Sequence, residues 1–419
     1  MEQTEPIEQP TPRPQSNPET LPPDIARRRA FRIGLVCIVS YLASYISRNL
    51  LSLYTPEMSE SSLYTLVFLG YLSSAYMFAY AGGQLVNGIL GDYINPIALA
   101  TGGFVLSGVS CLIFPFMKAQ ALQMLCFILL GYGLSMLRGP MVKVFSENTK
   151  KNHARMISTF LTVVAYIGPW VASAMSFLGW RGVFTATGVF SLVMAVLYCG
   201  SMLLMKKLGH ITIRSGRGGG VRGFFKVFRM KNFFVYFFVG GVVQTASSSF
   251  GFWLTTYLVQ DLNYSKEAAQ YIYSTVFLLL AAVPFLTLFL FRITKERQFG
   301  VMRVAFFLSV VVFVLMILPI APLAKVICFA AGEILIAIPS SLLWSIYIPG
   351  LGKSGKVSSI NGIMDCSGYL FAALTNIVLS ALMDSVLQDL ANPWRVVILI
   401  WAGIAAFGFL VSLFGREGE

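Results

Sequence analysis

Arg48 is the residue of this chain whose type and position point most clearly to chemistry. It lies inside the first long apolar stretch, and Tyr41, Ser44, Tyr45 and Ser52 fall on the same helical face. A guanidinium within such a stretch costs about 2.5 kcal/mol or more at bilayer depth, so it has to face a cavity, a partner or an anionic ligand. Its planar fork of donors matches the geometry of carboxylates and phosphates. We therefore interpret Arg48 as a candidate anion-binding residue.

Three other ionisable side chains also lie well inside apolar stretches: Arg138, Glu333 and Asp365. Desolvation favours the neutral form of a carboxyl group, so Glu333 and Asp365 are candidate proton carriers, while structural ion pairing or a neutral hydrogen-bonded acid explains them equally well. For Arg138, pairing with Asp92 or Asp365 in a gate is favoured over contact with a substrate.

Polar side chains at helical spacing extend the candidate site. Gln244 and Ser248 belong to a mild polar stripe on the seventh apolar stretch. Contact with a substrate is one interpretation of this stripe, and hydroxyls bonding their own helix backbone is the other. Most of the aromatic residues are expected to face lipid or pack between helices, with three exceptions that are candidates for the site: Tyr41, Tyr45 and Tyr166.

The composition indicates the elements that hold these residues. The chain has 419 residues, 56% of them hydrophobic and only 12% charged, whereas soluble domains are about one quarter charged. A membrane span needs about 20 apolar residues. The sequence therefore predicts an all-α membrane protein with twelve transmembrane helices, at 32–55, 65–90, 97–116, 122–146, 155–177, 183–205, 233–258, 268–291, 301–321, 325–349, 357–383 and 396–414.

The distribution of basic residues predicts the orientation. Apart from Arg48 and Arg138 within the membrane, only Lys118, Arg181, Lys266, Lys325 and Arg395 fall on the side opposite the N-terminus, and the other Lys and Arg fall on the N-terminal side. Basic residues concentrate on the cytoplasmic side of membrane proteins. We therefore expect a multi-pass plasma (inner) membrane protein with both termini cytoplasmic. The net charge of +13 is then explained by anionic lipids, and no nucleic-acid partner is expected.

The chain divides into two similar halves. We expect a disordered cytoplasmic tail at 1–30, a six-helix bundle at 31–205, a basic linker at 206–231 and a second six-helix bundle at 232–415. Trp180-Arg181 follows the fifth span and Trp394-Arg395 follows the eleventh, at corresponding places in the halves. Repeated halves with a site between them are typical of secondary transporters.

Enzyme chemistry is not indicated. The six cysteines are scattered singly and the two histidines are predicted in loops. No nucleophile, acid or metal-ligand constellation emerges from these spacings. We therefore expect neither enzymatic activity nor a metal or other cofactor.

A family resemblance rests on the short turn between the second and third spans. Its sequence, Gly88-Ile-Leu-Gly91-Asp92-Tyr-Ile-Asn95-Pro96, resembles the G-x-L-x-D signature of the major facilitator superfamily. The resemblance implies two six-helix bundles that rock around a central site. Glycines permit close helix approach, and a carboxylate at a helix end can pair with a neighbouring helix N-terminus or a basic side chain. Gly88, Gly91 and Asp92, with Arg138, are therefore candidate gate residues.

Within that superfamily the chain is most similar to the organophosphate:phosphate antiporter group. The similarity lies in Tyr45-Ile-Ser-Arg48-Asn49, in Asp92-x-x-Asn95-Pro96 and in Met141-Val142-Lys143. The resemblance implies that Arg48 binds a phosphoryl group. Asn49 and Gln84, which are also candidate substrate-binding residues, stand where that group often has lysine, and serines stand where it has an arginine on the seventh span. These departures leave an incomplete phosphate clamp.

The resemblance and the ionisable residues together favour a secondary active transporter that moves a small organic anion, an organophosphate or a related metabolite, by alternating access. Two mechanisms remain as alternatives. In the first, the organic anion is exchanged for phosphate. In the second, transport of a less charged metabolite or drug is coupled to protons through Glu333 or Asp365. A non-transporting sensor of such a ligand is the third alternative. The expected partners are an anionic small molecule, the lipid bilayer and phosphate or a proton as counter-ion, and a monomer is expected.

Overall fold

A computed structural model describes residues 21–60, 64, 66–213, 226–351, 357–385 and 393–417. Helices account for most of these residues, and no strand occurs within them. The first 20 residues of the predicted tail and the glycine-rich part of the linker, 214–225, lie outside the described residues. The helices are α1 Pro23–Glu60, α2 Leu66–Tyr93, α3 Pro96–Ile113, α4 Gln120–Ser135, α5 Arg138–Asn148, α6 Lys151–Ala174, α7 Gly179–Lys207, α8 Phe233–Gln260, α9 Lys266–Leu280, α10 Val283–Ile293, α11 Gln298–Leu315, α12 Pro322–Ser341, α13 Ile348–Gly350, α14 Val357–Ser385 and α15 Pro393–Leu413.

Three predicted spans are built from more than one helical segment. The fourth span consists of α4 and α5, the eighth of α9 and α10, and the tenth of α12, a π-helical segment at Leu342–Tyr347 and α13. Pro339 lies inside α12 just before the π segment, where it removes a backbone donor and disfavours the regular ladder. Within the described residues, nine helices or combined helices are long and apolar enough to cross a membrane.

The remaining three predicted spans are helical as well. They correspond to α2, α6 and α14, which are 28, 24 and 29 residues long. These helices run between the two halves, so their inward faces need not be apolar. The prediction of an all-α membrane protein is confirmed.

The helices form two halves that meet along two seams. In the first half α1 packs on α6 and α7, and α3 packs on α4 and α7; in the second half α8 packs on α14 and α15, and α11 packs on α12 and α15. One seam joins α2 to α14, and we call it the α2–α14 seam. The other joins α6 to α10 and the π segment, and we call it the α6–π seam.

The predicted boundary of the N-terminal tail was wrong, because α1 begins at Pro23 rather than after residue 30. Proline is favoured in the first turn of a helix, and an acidic residue such as Asp24 there interacts well with the helix dipole. Arg29 also anchors this segment by donating to the Oδ1 atom of Asn148 at 3.3 Å. The start of α1 is therefore packed against the end of α5.

The described residues nearest the two termini lie on one side of the bundle. Lys150 Nζ donates to the carbonyl oxygen of Leu21 at 3.0 Å, and Asn232 Nδ2 donates to that of Arg416 at 2.9 Å. Arg155, near the start of α6, contacts Glu296 of the second half at 3.5 Å and so joins these regions. We call this side of the molecule the termini side.

Candidate functional site

Arg48 lies in a cage of tyrosine rings between the two halves. Its Cζ atom is 5.4 Å from the ring centroid of Tyr45, 4.5 Å from that of Tyr80 and 4.8 Å from that of Tyr369. Its Nη1 atom donates to the hydroxyl of Tyr80 at 3.3 Å. In the described part of the chain Arg48 forms no ion pair. Cation–π contacts stabilise the face of the guanidinium, and its edge retains donors that an anion can use.

The tyrosine cage joins both halves. Tyr80 of α2 packs edge to face on Tyr369 of α14, with ring centroids 4.8 Å apart. Tyr41 and Tyr45 of α1 form a similar pair at 5.2 Å. Sequence reasoning identified the α1 tyrosines but missed Tyr80 and Tyr369. A signal existed for Tyr369, because it lies four residues after Asp365 and so shares its helical face.

Arg138 occupies a more closed site beside this cage. Its side chain is 6% exposed, and its Cζ atom is 4.5 Å from the ring centroid of Trp344 on the π segment. Its Nη1 atom lies 3.5 Å from the Tyr41 hydroxyl, at the limit of a hydrogen bond, and its Nε atom is buried without a partner among the described residues. The expected pairing with Asp92 is not seen. The reason is that Lys143, one turn and a half further along α5, takes that position.

Asp365 is the carboxylate that faces these two arginines. Its Oδ2 atom accepts a hydrogen bond from Asn361 Nδ2 at 3.0 Å. The side chains of Arg138 and Arg48 are near enough to attract the Asp365 carboxylate electrostatically. Neither arginine is within ion-pair distance of it in the described chain. Asp365 therefore balances positive charge across the seam without being locked to either cation.

Glu333 has a different environment on α12. Its side chain is 4% exposed, it interacts with the hydroxyl of Ser247, and its Oε2 atom is buried without a partner among the described residues. Tyr166 of α6 and Tyr273 of α9 are near enough to interact with it electrostatically. A buried carboxyl group without a cationic partner is costly in its charged form.

Asp92 lies at the termini-side end of the α2–α14 seam and caps α14. Its Oδ1 and Oδ2 atoms accept from the backbone N–H groups of Ser358 and Ser359 at 3.3 and 2.9 Å. Lys143 Nζ is 3.4 Å from Oδ1 and also donates to the carbonyl oxygens of Gly91 and Asp92. The carboxylate thus meets both a helix N-terminus and a basic side chain, which are the two kinds of partner that its sequence position suggested.

Small residues bring α2 and α14 into contact beside Asp92. A methyl group at Gly88 would lie 2.8 Å from the Cα atom of Gly362 and 3.0 Å from the carbonyl oxygen of Ser358. Gly91 faces the side chain of Ser358 in the same way. The seam is closed at the termini side, and no larger residue fits at Gly88 without separating the helices.

The other predicted site residues are placed less centrally. Asn49 Nδ2 donates to the backbone of Tyr45 in its own helix at 2.7 Å. Gln84 is 1% exposed and buried in the α2–α14 seam, and Gln244 packs against Gly368 of α14. Ser248 is half-buried on α8. The structure therefore brings the predicted tyrosines and charged residues together more closely than the predicted amides.

Two helical halves with ionisable residues at their interface define a transporter architecture, and comparisons with known proteins identify the family. The family model described as Major Facilitator Superfamily matches residues 37–373. The chain therefore belongs to the major facilitator superfamily, and the predicted fold of two six-helix bundles is confirmed. It is a transporter and not an enzyme.

One curated relative and several solved structures are similar to the chain. The probable L-galactonate transporter of Escherichia coli strain K12 is 27% identical over 212 residues, which cover 46% of this chain and 45% of that relative. The chain thus matches slightly less than half the length of this relative. The finer resemblance to the organophosphate:phosphate antiporter group stays a prediction.

The structural similarity covers almost the whole chain. The transporter FucP in the outward conformation matches with a TM-score of 0.70 at 15% identity, covering 92% of this chain and 99% of that one. The proton:xylose symporter XylE bound to 6-bromo-6-deoxy-D-glucose matches with a TM-score of 0.73 at 10% identity, covering 92% and 95%. At these identities the likeness shows the fold alone.

Proposed function

We propose that this transporter moves a small organic anion, and that Arg48 binds the anionic group. The tyrosine cage around Arg48 is the observation that carries the proposal. Three rings stabilise the face of the guanidinium, one hydroxyl accepts from Nη1, and no carboxylate forms an ion pair with it within the described chain. A half-buried guanidinium with free donors at its edge is suited to bidentate binding of a carboxylate or phosphate.

A singly charged carboxylate fits this site better than a phosphate dianion. Arg138, the second cation nearby, lies on Trp344 and beside Tyr41 and is almost fully buried. One accessible guanidinium balances one negative charge, whereas a dianionic phosphate favours several donors. The curated relative, named as a probable L-galactonate transporter, points to the same class, because galactonate carries one carboxylate. We therefore favour a sugar acid or similar monocarboxylate over an organophosphate.

Proton coupling is the second part of the proposal, and Glu333 is the residue that supports it. Its carboxyl group is buried beside Ser247 with one oxygen unpartnered in the described chain. Such a group is most stable when protonated, and it can release the proton when the halves move and water reaches it. We assign to Asp365 the separate role of balancing Arg48 and Arg138.

Asp92 would hold the conformation that is closed at the termini side. Opening the termini side requires the Asp92 carboxylate to leave the N-terminus of α14. Opening the opposite side of the membrane leaves Asp92 in contact with that N-terminus. We also propose that the termini side is cytoplasmic, because the basic residues concentrate there, and that the protein lies in the cell membrane.

Ligand binding tests the substrate class. Purified protein is heated with galactonate, gluconate, glucose 6-phosphate, glycerol 3-phosphate, fucose or xylose, and the unfolding temperature is measured. We expect stabilisation by one or both sugar acids and none by the neutral sugars. Stabilisation by a sugar phosphate alone would instead support the organophosphate carriers, and stabilisation by neutral sugars alone would exclude Arg48 as an anion-binding residue.

Transport into reconstituted vesicles tests the coupling. Uptake of the stabilising anion is measured with an inward proton gradient in one set of vesicles and with internal phosphate and no gradient in another. We expect the proton gradient to drive accumulation and internal phosphate to have no effect. The opposite result supports an exchanger, and binding without uptake under either condition supports a sensor.

A further inference from the structure

The second half carries a lipid-facing cleft that is separate from the candidate site. The cleft lies between α10, α11 and α12, and its volume is about 650 Å³. Its walls are mostly aliphatic, with Leu290, Val304, Leu308 and Leu335 among them. Val304 is 60% exposed and Leu308 is 43% exposed. Because the chain spans a membrane, these exposed aliphatic side chains face lipid tails.

Two basic side chains stand at the termini-side end of the cleft. Lys295 and Arg297 belong to the turn between α10 and α11, line the cleft and are exposed. The turn is tight, with left-handed backbone at Lys295 and Glu296 (φ 52° and 65°) and a 2.9 Å hydrogen bond from Glu296 N to the carbonyl oxygen of Phe291. This turn fixes both basic residues at the level where the aliphatic cleft ends.

The acidic residues nearby have partners of their own. Glu296 contacts Arg155 of the first half at 3.5 Å, so its side chain is directed to the α6–π seam. Glu417 accepts from the backbone N–H group of Gly300 at 2.7 Å, in the first turn of α11. The rim of the cleft therefore presents a net positive charge to the membrane surface.

We propose that this cleft binds an anionic phospholipid, with its phosphate at Lys295 and Arg297 and one acyl chain along the aliphatic walls. The length agrees with this assignment. From Gly300 to Leu308 α11 rises about 12 Å, close to the depth of one leaflet, about 15 Å of hydrocarbon. Basic pockets between membrane helices attract anionic head groups. A zwitterionic lipid has the same tails but lacks the net charge that the rim favours.

Native mass spectrometry on the purified full chain tests the proposal. Dioleoylphosphatidylglycerol and dioleoylphosphatidylcholine are titrated separately into the protein in a non-ionic detergent, and the affinity of the first bound lipid is measured. We expect the phosphatidylglycerol to bind at least tenfold more tightly. Inorganic phosphate added at millimolar concentration should not displace it, because the cleft binds the tails as well as the head group.

Two kinds of variant separate the charge from the cleft. Lys295→Gln with Arg297→Gln should weaken phosphatidylglycerol binding about 25-fold, as each basic residue near the surface contributes about fivefold. The matched control is Lys206→Gln with Lys207→Gln, at the end of α7 on the same side, and it should change binding less than twofold. Val304→Trp fills the cleft from a lipid-exposed position and should weaken both lipids, whereas Val196→Trp on α7 should weaken neither.

Four results would overturn the proposal. The first is equal affinity for the two lipids, and the second is an equal loss in the two double variants. The third is unchanged lipid binding in Val304→Trp, which keeps the test decisive even if the double variant at the rim fails to fold. Displacement of the lipid by inorganic phosphate would show that the rim binds a free anion instead.

Discussion

The two halves contribute opposite charges to the space between them. The first half supplies two cations, the half-buried Arg48 on α1 and the buried Arg138 on α5, and the second half supplies the buried carboxylates Glu333 on α12 and Asp365 on α14. In the described chain none of these four residues forms an ion pair with another. The difference between the halves therefore separates a candidate anion-binding wall from a candidate proton-binding wall.

Each cation of the first half instead contacts an aromatic ring that the second half supplies. Arg48 contacts Tyr369 and Arg138 contacts Trp344. A cation–π contact contributes about 0.5–2 kcal/mol, whereas breaking a buried ion pair costs about 3–5 kcal/mol. Halves joined in this way can separate at modest cost. This arrangement suits a protein that must open and close around its substrate.

The largest expected effect follows from removing Arg48. Arg48→Ala should weaken binding of the stabilising anion about 100-fold, because hydrogen bonds to a charged group contribute about 1.5–3 kcal/mol each. Arg48→Lys should also lose most of the binding, since lysine keeps the charge but lacks the planar fork. Isothermal titration or the shift in unfolding temperature measures both.

The control for Arg48 is Arg181→Ala, which removes an exposed arginine outside the bundle centre. It should leave binding unchanged. Wild-type affinity in Arg48→Ala would show that the cationic half has no role in binding the anion.

The second effect distinguishes the two carboxylates. Glu333→Gln mimics the protonated side chain, so it should lower uptake driven by a proton gradient tenfold or more while leaving exchange of labelled for unlabelled substrate. Asp365→Asn is the matched variant, and it should impair both processes because it leaves Arg48 and Arg138 without a balancing charge. The measurement is the ratio of gradient-driven uptake to exchange in vesicles. An equal ratio in the two variants would show that the carboxylates do not have separate roles.

Much of this arrangement could be predicted from the sequence. Twelve spans follow from apolar length, and the inward position of Arg48 follows from the cost of a charge in lipid. Asp92 at the end of α2 could be expected to meet a helix N-terminus, because the short turn before Pro96 leaves its carboxylate near neighbouring helix ends.

The contacts across the halves could not be predicted. Tyr80 and Tyr369 are almost 290 positions apart in the sequence, and the residue that pairs with Asp92, Lys143 rather than Arg138, depends on how α5 is rotated. The π segment that presents Trp344 adds a further local change of register. Periodicity shows which face of a helix is polar, but not which helix of the other half that face meets.

A third effect concerns the termini-side gate. Asp92→Asn keeps the size of the side chain but loses the charge that caps α14 and pairs with Lys143. A helix cap contributes about 1 kcal/mol, so the closed conformation should become about fivefold less populated. The accessibility of a cysteine placed at Ser358 to a water-soluble maleimide measures this change.

Two further variants serve as a control and as a second test of the labelling at Ser358. Asp261→Asn breaks an ion pair with Lys325 that lies within the second half, so it should not change labelling at Ser358. Gly88→Ala introduces a methyl group where Gly362 leaves no space, so it should increase labelling as Asp92→Asn does. Unchanged labelling in both Asp92→Asn and Gly88→Ala would mean that this seam does not open.

The smallest effect separates the hydroxyl from the ring in the tyrosine cage. Tyr80→Phe removes the acceptor for Arg48 Nη1 and should weaken anion binding about fivefold, since a single hydrogen bond contributes about 1 kcal/mol. Tyr369→Phe keeps the ring that Arg48 contacts and should bind normally, whereas Tyr369→Leu removes the cation–π contact and should weaken binding severalfold. A Tyr369→Leu variant that binds as tightly as Tyr369→Phe would show that the second half does not stabilise Arg48. The cage would then belong to the first half alone, and substrate binding would not by itself draw the halves together.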